Sequence, residues 1–411
     1  MNSAAYITGI GLVSPIGIGR KKFWNSLLAN ESGVGHLTLF DPEGFDVRIA
    51  AECTDFVPTE FADSKLTRRI DRFCQMALAS SKLALEDAGA YGLLRKNPER
   101  VAVVFGTAFG GVTSMEQAQH NMDQQGPDRL HPFAGLKALP NSAAAQISIK
   151  LGIKGPSATP AVACSCGTEA VGLGFDLIRR GEADMVICGA AEAPITPVIV
   201  AGFTALRALS KRNDDPTGAC RPYDRDRSGF VLGEGGATLI LESAQSLQHW
   251  QAEPYAKITG IGRTTDAHHT TSPNPKGREI LRAMQLALKQ AGLKAEQIGY
   301  INPHSTGTVA GDGPESWAVH HINPKVRVSA TKSTLGHSIG ACGALEAAIC
   351  ALAIKEKAIP PMRNLDNLAG DCAPLDYVVG EARPAPDLKA GLCTNLAFGG
   401  HNTAVVLESA S

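Results

Sequence analysis

One thiol and two imidazoles are the residues of this sequence best placed to do chemistry. The thiol is Cys164, in Pro160-Ala-Val-Ala-Cys164-Ser-Cys-Gly-Thr-Glu-Ala-Val-Gly172. An apolar strand end is expected to run into Cys164, with a helix of small residues after it. Such a turn lifts a side chain out of a sheet and sets it at a helix N-terminus. There the dipole and free backbone N–H groups favour thiolate, so the thiol pKa is expected below the ~8.5 of a free cysteine. A second reading also fits, in which Cys164 and Cys166 are two small buried hydrophobes. A metal site has little support, because a Cys-x-Cys without a second cluster rarely closes one.

Eleven histidines are present, and two lie in unusual loops. His304 follows a short strand in Ile301-Asn-Pro-His304-Ser-Thr-Gly-Thr308-Val-Ala-Gly-Asp312. The glycine there permits close backbone approach, and Thr306 and Thr308 supply hydrogen-bonding groups. His337 lies in Ser329-Ala-Thr-Lys332-Ser-Thr-Leu-Gly-His337-Ser-Ile-Gly340. His36, His120, His249 and the His320–His321 pair have no such context and read as ordinary core or surface residues.

The elements that must position these groups come as a duplication. Ile7-Thr-Gly-Ile-Gly11 recurs as Ile258-Thr-Gly-Ile-Gly262, and Leu83-Ala-Leu-Glu-Asp-Ala-Gly89 as Leu286-Ala-Leu-Lys-Gln-Ala-Gly292. Val101–Thr107 has a counterpart from Ile298, Ser157-Ala-Thr159 recurs as Ser329-Ala-Thr331, and Gly235–Ala244 as Gly399–Ala410. Five matches in one order argue two equivalent halves, 1–250 and 255–411, joined across Gln248–Tyr255. The separation shrinks along the chain, so the first half holds insertions. Residues 113–145 and 195–230, loop-rich and polar, are the expected ones. Each half alternates short Val/Ile strands with helical stretches, which implies an α/β fold. Apolar positions at helical spacing mark Leu78–Ala88 and Ile280–Ala291, and Gly340–Ile354 is apolar nearly all round, as a central helix is. Counting seven from Ser157 reaches Cys164, and seven from Ser329 reaches Gly336, beside His337. The duplication is therefore expected to bring His337 opposite Cys164 near a pseudo-two-fold axis.

Composition bounds the function. The 411 residues carry 44% apolar and 19% charged side chains and a net charge of −1. That suits a chain with a large core and argues against a global nucleic-acid or membrane-surface binder. The ten cysteines are too sparse for a disulfide scaffold, and no Cys-x-x-Cys occurs. No signal peptide and no run long enough to cross a bilayer is visible, so a cytoplasmic location is expected.

Cys164, His304 and His337, in this order and loop chemistry, resemble the Cys-His-His set of the β-ketoacyl–acyl carrier protein synthases of the thiolase-like superfamily. The resemblance spans the chain. It includes Ile7–Gly17, Tyr223-Asp-Arg-Asp-Arg-Ser-Gly-Phe-Val-Leu-Gly-Glu-Gly235, Asp266-Ala-His-His-Thr-Thr-Ser-Pro273 and Phe398-Gly-Gly-His-Asn402. It implies a duplicated α-β-α-β-α layered fold and a decarboxylative condensation of malonyl-carrier protein with an acyl chain held on Cys164. It assigns the oxyanion hole to the N–H groups of Cys164 and Phe398, and enolate stabilisation to His304 and His337. Lys332 and Glu346 resemble the family's buried ion pair, and Thr306 and Thr308 the residues that hold the phosphopantetheine arm. That arm comes on the acyl carrier protein, so no permanently bound cofactor or metal is expected. Lys65, Arg68 and Arg69, with Arg207, resemble the docking patch for the acidic carrier protein; a solvated basic face is the other reading.

The sequence also departs from the family. Leu396 stands where long-chain synthases usually have Phe, Ala397 at a usual Gly and His401 at a usual Thr. Ser305 replaces a usual Gly, Val309 a usual Pro, and Phe109 is bulkier than the common Ile of the acyl pocket. These changes bear on chain length and gating, and point toward a polyketide or polyene pathway as well as fatty-acid elongation. Such synthases act as homodimers or pair with a homologous chain-length subunit. Two rivals remain: a thiolase acting on coenzyme A esters, which adds a second cysteine in the late Gly-rich loop, and a non-catalytic chain-length partner, which lacks the nucleophile.

Overall fold

The computed structural model describes residues 4–248 and 253–410. His249 and the middle of the Gln248–Tyr255 join, residues 249–252, lie outside the described residues. The first half contains β1 (Ala5–Ser14), α1 (Arg72–Ala88), β2 (Val101–Gly106), α2 (Ser142–Leu151), β3 (Ser157–Ala158), α3 (Cys166–Arg179), β4 (Met185–Glu192) and β5 (Gly235–Glu242). The second repeats that order as β6 (Ala256–Thr265), α4 (Arg278–Ala291), β7 (Tyr300–Asn302), α5 (Val309–Ile322), β8 (Arg327–Val328), α6 (Cys342–Glu356), β9 (Ala390–Ala397) and β10 (His401–Glu408). The strands run β3-β2-β4-β5-β1 in one half-sheet and β8-β7-β9-β10-β6 in the other. In both, the first two contacts are parallel and the last two antiparallel.

The halves meet along β1 and β6, which pair antiparallel at Ala5–Ile258, Tyr6–Lys257 and Ile7–Ala256. Equivalent residues thus exchange partners, which is the register a two-fold axis between Tyr6 and Lys257 requires. Helices α3 and α6 pack on each other between the half-sheets, α1 and α2 cover one outer face, and α4 and α5 cover the other. This is the five-layered thiolase-like arrangement. Helix α6 is buried from Cys342 to Ile354, as its all-round apolar sequence implies, though it starts two residues later than expected.

The repeated motifs now have a physical cause. A Cβ on Gly11 would sit 1.9 Å from the Ser80 carbonyl oxygen, and one on Gly262 would sit 1.8 Å from that of Ala283. Gly9 and Gly260 face Ala84 and Ala287 in the same way. The Thr-Gly-Ile-Gly repeat lets a helix lie directly on a strand, and the Leu-Ala-Leu repeat is that helix. Each of those helices ends on a left-handed glycine, Gly89 or Gly292. At the central crossing, Gly167 touches Ala344 and Gly343 touches Thr168.

Two expectations about local structure need correction. Segment 113–145 is mainly helical, over Val112–Gln125, Ala134–Ala138 and the start of α2. Its polar composition marks exposed helices, not loops. The strand before Cys164 is only Ser157–Ala158 and ends well short of the thiol.

Replacing Gly262 by Ala should cost about 1–3 kcal/mol, because the new methyl meets backbone that cannot move aside. Gly370, with nothing within 4 Å of its would-be Cβ, is the control; its replacement by Ala should stay within about 0.5 kcal/mol. Thermal unfolding midpoints compare the two, and equal midpoints would refute the close-approach account.

Candidate active site

Cys164 sits in a single 3-10 turn, Ala163–Ser165, that leads directly into α3. Ala163 before it holds a left-handed φ of 49°. The equivalent turn in the second half is Ile339–Ala341, leading into α6, and Ile339 has φ 45°. Matching these strained residues makes Gly340 the counterpart of Cys164. The sequence count from Ser329 to Gly336 was therefore four residues out of register, because the loop before the second turn is longer. His337 still arrives beside Cys164, but from that longer loop. Its Nε2 lies 3.2 Å from the Cys164 sulfur.

The His337 loop is held by a single β-bridge to Leu232 of the first half. His337 N–H donates to the Val231 carbonyl at 2.7 Å, and Gly233 N–H donates to the His337 carbonyl at 2.9 Å. The Phe230 ring stands edge-on to the imidazole, centroids 5.1 Å apart. His304 comes from the β7 end, and its ring is edge-on to His337 at 5.2 Å. The sulfur and the ligating nitrogens of both rings lie within 4.8 Å of one another.

Behind the imidazoles lies a buried polar network. Lys332 and Glu346, each almost fully buried, form an ion pair. Asn395 Nδ2 donates to Glu346 Oε2 at 2.7 Å and faces His304 Nδ1 at 3.3 Å. An amide N–H₂ only donates, so Nδ1 accepts and the His304 proton sits on Nε2. Thr168 Oγ1 bonds to Asn395 Oδ1 and fixes the amide's orientation. Glu315 takes donors on both oxygens: His304 N–H at 2.8 Å and Thr394 Oγ1 at 2.8 Å on Oε1, Ser305 N–H at 2.7 Å on Oε2. Asn395, Glu315 and Thr394 were not singled out from sequence. A polar Thr-Asn pair near the end of an apolar strand was the available signal.

Burial sets the protonation states. It holds both histidines well below 6.5, and the Lys332 charge adds to this. Both rings are therefore neutral and suited to donate hydrogen bonds. Although burial opposes it, Cys342 and Glu346 hold Lys332 above its ordinary range, so it stays a cation. The expected low thiol pKa does not hold. Burial pushes Cys164 up to about 12, against the pull of Lys332 and the Phe398 N–H. A helix N-terminus favours thiolate only where water or a counter-charge offsets desolvation.

A cavity of about 370 Å³ leads from the surface to Cys164, His304 and His337. Thr306, Thr308 and Leu396 line it, and Phe398 stands beside the thiol. Thr306 and Thr308 share a hydrogen bond at 3.1 Å, and Thr308 also caps α5. Phe398 packs on Phe203 at 6.3 Å, and Phe203 in turn meets Phe109 at 6.2 Å and Phe230 at 5.3 Å. Phe109 thus adjoins the site through Phe203 and does not line the open cavity. Phe203 was missed in the sequence because a lone Phe in an apolar helix carries no distinguishing context. Arg207 lines the cavity itself, whereas Lys65, Arg68 and Arg69 line a separate shallow groove with His131. Cys393 points into the central layer, 4.0 Å from the Gly343 carbonyl, and no cysteine but Cys164 lines the cavity among the described residues.

A buried thiol beside two neutral imidazole donors and a backbone N–H can accept an acyl group and stabilise an enolate in one pocket. Comparison with known proteins agrees with that arrangement. The family models for the β-ketoacyl synthase N-terminal and C-terminal domains match residues 3–246 and 255–366. A 3-oxoacyl-(acyl-carrier-protein) synthase 2 from Synechocystis sp. is 40% identical, covering 98% of this chain and 97% of its own. One from Staphylococcus aureus is 39% identical, over 99% and 98%. Among solved structures, the ishigamide ketosynthase/chain length factor superposes with TM-score 0.93 at 34% identity over the whole of both chains. A β-ketoacyl synthase from Burkholderia phymatum does so with the same TM-score, identity and coverage. A ketosynthase in complex with its type II PKS acyl-carrier protein gives 0.91 at 27%, over 99% of each chain. By sequence, fold and the placement of its thiol and imidazoles, the chain belongs to the β-ketoacyl synthase family.

Proposed function

We propose that this chain extends an acyl chain by decarboxylative Claisen condensation with malonyl-acyl carrier protein, in fatty-acid or polyketide assembly. The observation that carries this is the Cys164 sulfur 3.2 Å from His337 Nε2, with His304 edge-on beside it, at the floor of one cavity. In the loading step the sulfur attacks the carrier-bound thioester. The Cys164 and Phe398 N–H groups take the oxyanion, and the thiol proton leaves on the departing phosphopantetheine sulfur as the carrier's free thiol. In the second step a malonyl thioester enters, and loss of CO2 leaves its bond pair as an enolate. The N–H groups of His304 and His337 stabilise that oxygen. The enolate carbon attacks the acyl-Cys164 carbonyl and expels the Cys164 thiolate. Decarboxylation drives the step, so the balance calls for no bound cofactor or metal beyond the carrier's own arm.

Thr306 and Thr308 line the route such an arm would take, and Arg207 stands at its mouth. The Lys65–Arg69 groove is the docking surface we assign to the acidic carrier protein, supported by its charge. The β3 edge is open and exposed, and Ile149 of α2 is 74% exposed, which supports pairing with a second copy or a homologous chain-length subunit. Ten free, buried cysteines fit a reducing, cytoplasmic setting. No helix among the described residues is long and apolar enough to cross a membrane. The thiolase alternative lacks a second cysteine at the cavity, and the non-catalytic alternative does not explain an intact Cys164, His304 and His337.

Intact mass should show an acyl adduct on the wild-type chain and none on Cys164→Ala. CO2 release from malonyl-carrier protein should persist in Cys164→Ala and fall by about 10²-fold or more in His337→Ala, as when an oxyanion donor is removed. Loss of both activities in both variants would contradict the division of roles. Arg68→Glu should raise KM for acyl-carrier protein severalfold and spare small thioester analogues; equal loss on both would remove the docking assignment. Because burial raises the thiol, alkylation of Cys164 by iodoacetamide should climb steadily from pH 7 to pH 9. A plateau below pH 9 would mean that the helix terminus outweighs burial.

A further inference from the structure

Ser305 occupies a position where the family usually has glycine, and its hydroxyl is buried in the network behind His304. Ser305 Oγ lies 2.7 Å from Glu315 Oε2 and hydrogen-bonds the Tyr223 hydroxyl. A single Ser O–H serves one acceptor, and a carboxylate only accepts. Ser305 therefore donates to Glu315 and accepts from Tyr223. Glu315 in turn holds the His304 and Ser305 N–H groups. Tyr223 is fully buried, holds a left-handed φ of 65°, and packs tilted against Tyr377 with ring centroids 4.8 Å apart. Its own N–H donates to Asp312 Oδ2 at 2.8 Å, the carboxylate whose other oxygen holds Thr306 N–H at 3.1 Å. Burial, then Glu315, keeps the phenol far above its usual range, so it retains the proton it donates. A non-glycine residue in a left-handed conformation persists where its surroundings hold it there, and such residues concentrate at functional sites.

We propose that Tyr223 and Ser305 are positioning residues that act through Glu315 to fix the His304 main chain, and so aim its Nε2–H at the malonyl carbonyl. Neither touches substrate: both sit behind the imidazole. Tyr223 belongs to the first half's insertion, while Ser305, Glu315 and His304 belong to the second half. The relay ties His304 to the opposite half, as the Val231 and Gly233 main chain ties His337. It rests on the condensation reading above, because it assigns the relay to the decarboxylation step and not to loading.

The test compares the two half-reactions in Tyr223→Phe, Ser305→Gly and the double variant. CO2 release from malonyl-carrier protein should fall about tenfold in each single variant, the effect of one buried hydrogen bond. Acyl transfer to Cys164, followed by intact mass, should stay within about twofold of wild type, since loading does not use His304. The double variant should be no worse than the worse single one, because both remove the same relay. Ser305→Thr, which keeps the hydroxyl, should retain most of the decarboxylation. Wild-type CO2 release is the separate check on the condensation reading. Given that release, the relay is overturned by unchanged decarboxylation in both single variants, by parallel loss of loading, or by additive losses in the double variant.

Discussion

The site depends on a cation kept where water cannot reach it. Lys332 is 1% exposed and its partner Glu346 is 1% exposed. Burying such a pair is costly unless its remaining lone pairs and protons are satisfied. Asn395 meets that requirement on the Glu346 side and has a second consequence. The same amide that bonds Glu346 faces His304 Nδ1, so the ion pair sets the tautomer that puts a proton on Nε2. The Lys332 charge also disfavours imidazolium in both rings. Burial, with the Lys332 charge added, thus keeps both rings neutral, where an isolated histidine in water would be partly charged near neutrality.

That arrangement needs two helices and two sheets closer than side chains normally permit. Gly167 and Gly343 bring α3 and α6 into backbone contact at the pseudo-dyad, and Gly9, Gly11, Gly260 and Gly262 seat the outer helices on their strands. The glycine-rich composition is therefore a packing device. The same contacts carry Cys164 and the His337 loop, from different halves, to within hydrogen-bonding distance.

Much of this was legible in the sequence. The five repeated motifs are the strands and helices of two equivalent halves, and glycine pairs survive duplication because neither copy can accept a Cβ. Cys164, His304 and His337 were legible because small-residue loops around a reactive side chain are uncommon. The register of the second elbow was not, since the extra residues between Ser329 and Ile339 leave no periodic mark. Nor was the thiol's protonation, because desolvation depends on which elements close over it, here the Phe203, Phe230 and Phe398 cluster. Asn395 and Glu315 escaped notice for a related reason: each is a polar residue inside a regular element, and its partners lie far away in sequence.

The two elbows share a backbone, and a carboxylate bonds the main chain of the second. Where Cys164 begins the first central helix, Gly340 stands in the second. A Cβ there would lie 2.3 Å from Glu192 Oε2, and the Gly340 N–H donates to that oxygen at 3.2 Å. Glu192 also accepts from Ala108 N–H, Phe109 N–H and the Thr107 hydroxyl, which fixes the Thr107–Phe109 loop. Glu192 ends β4, and the residue that ends the equivalent strand β9 is Ala397. Near Cys164, then, the matching position carries no carboxylate to occupy the elbow's N–H. The duplication supplied two identical turns. Glu192 anchors the main chain of one, and the strand equivalent to its own ends in Ala397, which has no carboxylate to anchor the other.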